Sequence, residues 1–154
     1  MRLAVLSDIH GNLRALQAVL ADLEAAGGTD RIWILGDLVA FCPEPVECLQ
    51  AIRALPEATT EVIQGNTDRY IVTGARPTWP PQTEETWQDV LGLLRERDMN
   101  FGWTTERLGW TEAEYLIKLP TDLSLEVDGY GWVIGFHAAP GDDELVLLPG
   151  TAEE

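Results

Sequence analysis

Short apolar runs alternate with segments of helical periodicity along the first half of the chain. The runs have the length and the aliphatic content of strands buried in a parallel sheet. The predicted elements are, in order, a strand at Leu3–Leu6, a helix opened by Asn12 and closed by the glycines at 27–28, a strand at Ile32–Leu35, a helix over 45–55 and a strand over 61–64. This alternation of strands and helices predicts an α/β fold with parallel strands.

The pattern changes in the second half, where helices come first and an alternating strand pair follows. Three prolines predict an irregular loop over 75–82, and helical spacing returns over 87–94. Thr111 and Glu114 form a predicted capping box for the next helix, which Pro120 ends. Alternating residues at 123–127 and an apolar run at 132–136 predict an antiparallel hairpin. We see no linker, so a single domain over 1–154 is expected.

Composition narrows the classes of partner. Ten basic and 26 acidic residues give a formal net charge of -16, which disfavours binding of nucleic acid or anionic membranes through a basic surface. It does not exclude phosphate chemistry, because bound divalent cations reverse the local potential. No apolar run approaches the ~20 residues of a membrane span. Two cysteines, Cys42 and Cys48, fit no disulfide framework and indicate reduced thiols in a cytoplasmic protein.

Polar side chains with metal-binding chemistry follow the predicted strands. They are Asp8, His10, Asp37, Asn66, Asp68 and His137. Each has an ordinary explanation: Asp8 as a cap of the first helix, His10 as a surface residue, His137 as the end of a strand, and the others as turn residues. The carboxyl ends of parallel strands, however, share one edge of a sheet, where ligands bind. Both histidines of the chain lie at predicted strand ends, so one converging metal site explains the set better than four independent turns.

Four motifs in register resemble the signatures of the calcineurin-like metallophosphoesterases, and in particular the small prokaryotic phosphodiesterases. They are SDIHGN at 7–12, GDLV at 36–39, GNTD at 65–68 and GFHAAP at 135–140, and WTEAEYLIKLP at 110–120 adds to the match. The resemblance covers essentially the whole chain. It implies an α/β fold, α+β in some schemes, in which two β-sheets pack face to face as a sandwich flanked by helices.

The resemblance also implies a function and a ligand set. Asp8 and His10 would bind one divalent metal ion, Asp37 would bridge two ions, and Asn66 and His137 would bind the second. Such a pair, ~3.5–4 Å apart, activates a bridging hydroxide for in-line attack on a small phosphoester, most readily a phosphodiester. Manganese is the expected ion, with iron, zinc or nickel as alternatives. Asp68 and Asn12 are expected to support the ligands without binding metal.

The sequence departs from the family pattern at two places. Many relatives carry histidine where this chain has Thr67, which cannot protonate a leaving group near neutral pH. Activated diesters, such as those with a phenolic leaving group, are therefore favoured. A later Gly-His-x-His motif is absent, because no histidine follows His137. The predicted helix start at 149–154, with Thr151 as N-cap, leads us to expect a C-terminally truncated domain. Such a domain would have a weakened metal site. It would also expose an apolar flank of its sheets, which favours homo-oligomers.

Two other functions remain open at this point. A chain that lacks the last two ligand histidines suits a non-catalytic interaction module, although every upstream ligand position keeps a metal-binding residue type. A phosphatase with an aspartyl nucleophile after its first strand would carry a second aspartate two positions later, where this chain has His10. The metal-dependent phosphoesterase is therefore the leading hypothesis.

Overall fold

The computed structural model describes residues 1–76 and 83–145. Five strands and five helices are found there. Their order is β1 (Leu3–Leu6), α1 (Leu13–Ala25), β2 (Arg31–Ile34), α2 (Pro45–Arg53), β3 (Thr60–Val62), α3 (Asn66–Thr73), α4 (Glu84–Thr105), α5 (Trp110–Lys118), β4 (Asp122–Val127) and β5 (Gly131–Phe136). Within this part of the chain, no helix is both long and apolar enough to span a membrane.

The strands form two sheets, as the sequence predicts. In the first sheet β2 lies between β1 and β3 and is parallel to both, with Ala4 opposite Ile32 and Ile32 opposite Thr60. In the second sheet β4 and β5 form an antiparallel hairpin. The α/β architecture and the hairpin are thus confirmed. The single-domain assignment over 1–154 stays a prediction.

Side-chain alternation along β2 divides the core between the two faces of the first sheet. Ile32 and Ile34 belong to the apolar cluster that packs with the helices. Trp33 points the other way and packs with Ile63 and Leu123 between the two sheets. The sheets approach closely, because a Cβ on Gly135 would lie 2.9 Å from the Trp33 ring. The face-to-face packing predicted from the family resemblance is therefore present.

Several local predictions need correction. GNTD at 65–68 is not a turn but the start of α3, where the Asp68 carboxylate accepts the Gly65 N–H at 3.0 Å and so stabilises the first turn. The α5 cap is also displaced: Glu112 accepts the N–H of Gly109 at 3.0 Å, so the predicted Thr111 and Glu114 box is wrong. The third strand ends two residues earlier than predicted.

Two predictions fall wholly or largely outside the described residues. Most of the predicted loop over 75–82 lies there, as does the predicted helix start at 149–154. The expected C-terminal truncation stays a prediction.

The two cysteines are both free, and they lie in different environments. Cys48 is fully buried in α2, and burial together with the nearby Glu44 and Glu47 raises the pKa of its thiol to about 12. Cys42 is partly exposed in the loop before α2. A thiol reagent near neutral pH should therefore react with Cys42 and leave Cys48 unmodified.

Candidate metal centre

The structure brings the five predicted metal ligands together at the carboxyl end of the first sheet. Asp8 and His10 follow β1, Asp37 follows β2, Asn66 begins α3 after β3, and His137 follows β5 of the second sheet. Four of the five side chains thus come from one sheet edge, and the fifth reaches them from the neighbouring sheet. This convergence follows from the parallel topology, because consecutive parallel strands end on the same side.

One half of the cluster contains two carboxylates and an imidazole. His10 Nε2 lies 3.7 Å from Asp8 Oδ1 and 3.6 Å from Asp37 Oδ2. The ligand atoms of these three residues all fall within 4.8 Å of one another. Asp8 is exposed, whereas Asp37 is buried with 4% of its surface accessible. The set therefore opens to solvent on the Asp8 side.

The other half of the cluster shares Asp37 and adds an amide and a second imidazole. His137 Nε2 lies 3.6 Å from Asp37 Oδ1 and 3.0 Å from Asn66 Oδ1. Each carboxylate oxygen of Asp37 thus faces a different histidine. A carboxylate that binds one cation through each of its oxygens would have this geometry.

The protonation of the histidines fits metal binding. His137 Nδ1 lies 2.7 Å from the Leu35 carbonyl oxygen, and His10 Nδ1 lies 3.3 Å from that of Val39. Since a carbonyl only accepts, each Nδ1 donates to it, and in a neutral histidine with this tautomer Nε2 presents a lone pair to a metal ion. Nε2 of His137 and Oδ1 of Asn66 are then two acceptors 3.0 Å apart. Two ligands at right angles, each ~2.1 Å from a shared ion, have this separation.

The charge of Asp37 also fits a cation. In the described part of the chain, its nearest side-chain nitrogen partners are His10 and His137, and no lysine or arginine pairs with it. A buried carboxylate without a positive partner is costly. Its Oδ1 accepts one hydrogen bond, from the Thr67 N–H at 2.9 Å. The donor set of the cluster therefore suits divalent metal ions.

Backbone strain accompanies three of the ligands. Asp8, His10 and Asp37 have φ angles of 56°, 51° and 54°, in the left-handed region that non-glycine residues seldom adopt. Aspartate and histidine are among the residue types that tolerate this region best, and such strain concentrates at functional sites. The sequence pattern gave no sign of it, because a strand end followed by a polar residue does not fix φ.

Two glycines permit the loops after β2 and β3 to touch. A Cβ on Gly36 would collide with the backbone N of Gly65, and a Cβ on Gly65 would collide with the N and Oδ1 atoms of Asp37. The glycine that precedes Asp37 and the one that precedes Asn66 are thus required by contact between the two loops.

Asp68 joins these two loops from within. It is fully buried, and its Oδ1 accepts the N–H groups of Leu38 and Val39 at 2.9 and 3.2 Å while Oδ2 accepts that of Gly65. Burial raises the pKa of Asp68 to about 7; the Gly65 N–H opposes this shift, and the charge of Asp37 adds to it. The predicted supporting role of Asp68 agrees with these contacts, although its effect on a metal stays a prediction.

The other predicted supporting residue, Asn12, occupies a different position. Its Oδ1 accepts the Ala15 N–H at 3.1 Å and caps α1, as the sequence predicts, so the cap is Asn12 and not Asp8. Its support of the metal ligands stays a prediction. The hydroxyl of Thr67 lies 3.3 Å from the Val39 carbonyl and is buried with it.

The sequence did not predict an ion pair that joins the segment after Asn66 to the segment after His137. Arg69 of α3 binds Asp143 through two contacts of 2.7 Å and also lies 2.7 Å from Glu144. It follows Asn66 by three residues, and Asp143 follows His137 by six. A bidentate guanidinium–carboxylate pair has a fixed geometry. The pair therefore holds the segment after His137 against α3. No sequence signal indicates this partner, because the two residues are 74 positions apart.

Replacing Asp143 with asparagine should weaken divalent metal binding by about tenfold, because the segment that follows His137 loses its bidentate anchor. The folded state should lose no more than about 1 kcal/mol, since the pair is partly exposed. Calorimetric titration with Mn²⁺ and thermal denaturation measure the two effects. Glu114→Gln, which breaks the exposed contact of 2.9 Å to Lys118 on α5, serves as the matched control. Equal metal affinity in both variants would contradict this role.

Comparison with known proteins extends the match beyond the motifs. The model of the calcineurin-like phosphoesterase superfamily domain matches residues 1–144. The symmetrical bis(5′-nucleosyl)-tetraphosphatase of Erwinia tasmaniensis is 29% identical over 121 residues, which are 79% of this chain and 41% of that protein. The chain thus spans less than half the length of this relative.

Two solved structures agree. A hypothetical protein from Pyrococcus horikoshii OT3 has a TM-score of 0.75 and 28% identity, over 98% of this chain and 60% of its own. A metallophosphoesterase from Sphaerobacter thermophilus has a TM-score of 0.55 and 33% identity, over 80% of this chain and 42% of its own.

Proposed function

The chain belongs to the calcineurin-like phosphoesterase superfamily, and from this premise we propose that it hydrolyses phosphoesters with two bound divalent metal ions. One observation carries the proposal: the two carboxylate oxygens of Asp37 face Nε2 of His10 and Nε2 of His137, each at 3.6 Å. Asp8 and His10 would hold one ion, Asn66 and His137 the other, and Asp37 both. Divalent ions in such a pair activate water as a nucleophile and neutralise the phosphoryl charge.

The protein supplies the position and the charge for this chemistry. Asp8 and Asp37 attract cations into an acidic protein that would otherwise repel a phosphoester. The carbonyls of Leu35 and Val39 fix the tautomers of the two histidines. Asp68 and the close contact of Gly36 with Gly65 hold the Asp37 and Asn66 loops in register.

The small number of histidines limits the leaving group. The chain has two histidines, and since both are in the proposed ligand set, neither is left to protonate a leaving group. Thr67 occupies the position after Asn66, and its hydroxyl lies by the Val39 carbonyl, buried. A good leaving group, which departs without protonation, is therefore favoured. A phenolate and the phosphate group of a nucleotide both qualify. The latter agrees with the relative named as a bis(5′-nucleosyl)-tetraphosphatase.

We also propose manganese as the ion, since carboxylate, imidazole and amide ligands suit it. The two free thiols support a reducing, cytoplasmic environment. The homo-oligomer expected from the sequence stays a prediction.

Hydrolysis assays with added Mn²⁺ test the proposed function. We expect Mn²⁺-dependent cleavage of an aryl phosphodiester and of a dinucleoside tetraphosphate, and at least about 100-fold slower cleavage of an alkyl phosphomonoester, whose leaving group needs a proton. A chelator should abolish the activity. Absence of both metal binding and hydrolysis would instead favour the non-catalytic interaction module.

A further inference from the structure

An apolar groove runs along α4 beside the metal centre. We call it the α4 groove and define it by its lining residues, which include Phe41, Cys42, Leu93, Glu96, Arg97, Asn100 and Trp103. It has two lobes of about 400 and 380 Å³ that share Phe41, Glu96 and Asn100. Volumes of this size are typical of sites for small organic ligands. The groove plays no part in the ligand set described above.

Phe41 connects the groove to the metal centre. Its ring lies 4.9 Å from the His10 ring, centroid to centroid, at an angle of 71°. The side chain is nonetheless 49% exposed. One phenyl ring thus contacts a predicted metal ligand and also lines the groove. A ligand that occupies the α4 groove would therefore adjoin a group bound at the metals.

The backbone holds Phe41 in this position at a cost. Ala40 and Phe41 both have positive φ angles, 77° and 65°, and a bulky residue in this region is an outlier. Asn100 of α4 stabilises the conformation, because its Oδ1 accepts the Phe41 N–H at 2.7 Å. Strain of this kind is retained where the surrounding structure imposes it, and it concentrates at ligand-binding and catalytic sites.

We propose that the α4 groove binds the nucleobase of a nucleotide substrate whose phosphate lies at the metal centre. The inference rests on the proposed function and names the substrate class: nucleotides rather than simple phosphoesters. A single sugar joins a base to its first phosphate, so the two subsites must adjoin, as the contact of Phe41 with His10 permits.

The chemistry of the groove suits a base better than an aliphatic chain. Phe41 and Trp103 supply aromatic surface, and bases stack on such side chains irrespective of sequence. Arg107 lies over the Trp103 ring, 3.4 Å from its centroid, which restrains the indole. Glu96 offers a carboxylate that accepts a hydrogen bond from the exocyclic amino group of adenine or cytosine. The groove therefore suits a flat ligand with a hydrogen-bonding edge.

Protection of Cys42 from alkylation tests the proposal without relying on activity. Cys42 lines one lobe of the groove, whereas Cys48 is buried and should not react with the reagent. We expect adenosine, which has a base and no phosphate, to slow the reaction of Cys42 with iodoacetamide by threefold or more at saturation. Ribose 5-phosphate, which has a phosphate and no base, should leave the rate unchanged. Mass spectrometry assigns the label to the cysteine.

Matched variants locate the binding. Trp103→Ala should weaken the protection by adenosine about tenfold, as expected for a lost stacking contact. Trp110 lies outside the groove and is 72% exposed, so Trp110→Ala should leave the protection unchanged. Leu93→Glu and Ile117→Glu form a second pair at exposed helical positions, 55% and 52% exposed. Leu93 lines the groove, so its replacement should weaken the protection by adenosine, whereas Ile117→Glu, outside the groove, should not. This pair covers the case in which Trp103→Ala fails to fold.

The outcomes separate this inference from the proposed function. Equal protection by ribose 5-phosphate, no protection by adenosine, or equal losses in both members of a pair would each overturn the nucleobase site. Hydrolysis of phosphoesters is measured independently, with an aryl phosphodiester as a substrate that lacks a nucleobase. Protection by adenosine without any hydrolysis would contradict the proposed function and support the base site. Hydrolysis without protection by adenosine would support the proposed function and contradict the base site.

Discussion

Replacement of Asp37 with alanine is expected to reduce Mn²⁺-stimulated hydrolysis by about 100-fold or more. Even residues that only support metal ligands cost 10–100-fold when removed, and Asp37 faces both halves of the site through its two oxygens. Metal content should fall at the same time, because each half loses one of three predicted protein ligands. Steady-state kinetics with an aryl phosphodiester and metal analysis of the purified protein measure the two effects.

Two further variants make this result specific. Asp22→Ala removes an exposed carboxylate from α1 and should retain activity and metal content. Asp37→Asn keeps an oxygen that accepts the Thr67 N–H, so it should fold normally and still lose activity. Wild-type hydrolysis by either Asp37 variant would exclude the bridging role.

Replacement of Asp68 with alanine should produce a large loss of stability. Three buried N–H groups, those of Leu38, Val39 and Gly65, would lose their acceptor. Each unsatisfied group costs about 1–3 kcal/mol, so the free energy of unfolding should fall by about 3–5 kcal/mol. For a chain of this size the melting temperature should drop by about 10 °C. Thermal and urea denaturation of the metal-free protein measure the change.

Asp68→Asn provides the comparison, because its one carbonyl oxygen can still serve Leu38 and Val39 while its NH₂ opposes the Gly65 N–H. We expect an intermediate loss of stability in this variant. A melting temperature close to that of the wild type in Asp68→Ala would show that the three N–H groups find other partners, and that Asp68 does not join the two loops.

The sequence allowed prediction of the parts of the fold that local periodicity determines. The β1–α1–β2–α2–β3 order and the β4–β5 hairpin are confirmed because each element has an apolar pattern of its own. Helix α3 was missed because its first residues, Gly65-Asn66-Thr67-Asp68, are also common in turns. The α5 cap was misplaced because two candidate boxes overlap there, and the helix uses Glu112.

For the candidate site, the sequence predicted which residues converge but not how they are held. Parallel topology places Asp8, Asp37 and Asn66 at one sheet edge from periodicity alone. The left-handed conformations of the ligands depend on contacts between loops, such as that of Gly36 with Gly65. The Arg69 pair with Asp143 depends on how the segment after β5 packs on α3. Such long-range contacts leave no local pattern in a single sequence.

The two halves of the metal centre differ in mechanical support. Asp8, His10 and Asp37 all extend from the first sheet, whereas His137 comes from the hairpin and reaches across to the Leu35 carbonyl of the first sheet. An ion held by Asp37, Asn66 and His137 would therefore act as a cross-link between the two sheets. The affinity for this ion would therefore depend on how stably the hairpin packs against the first sheet through Trp33 and Leu123. Loosening of that inter-sheet core would release one ion and retain the other.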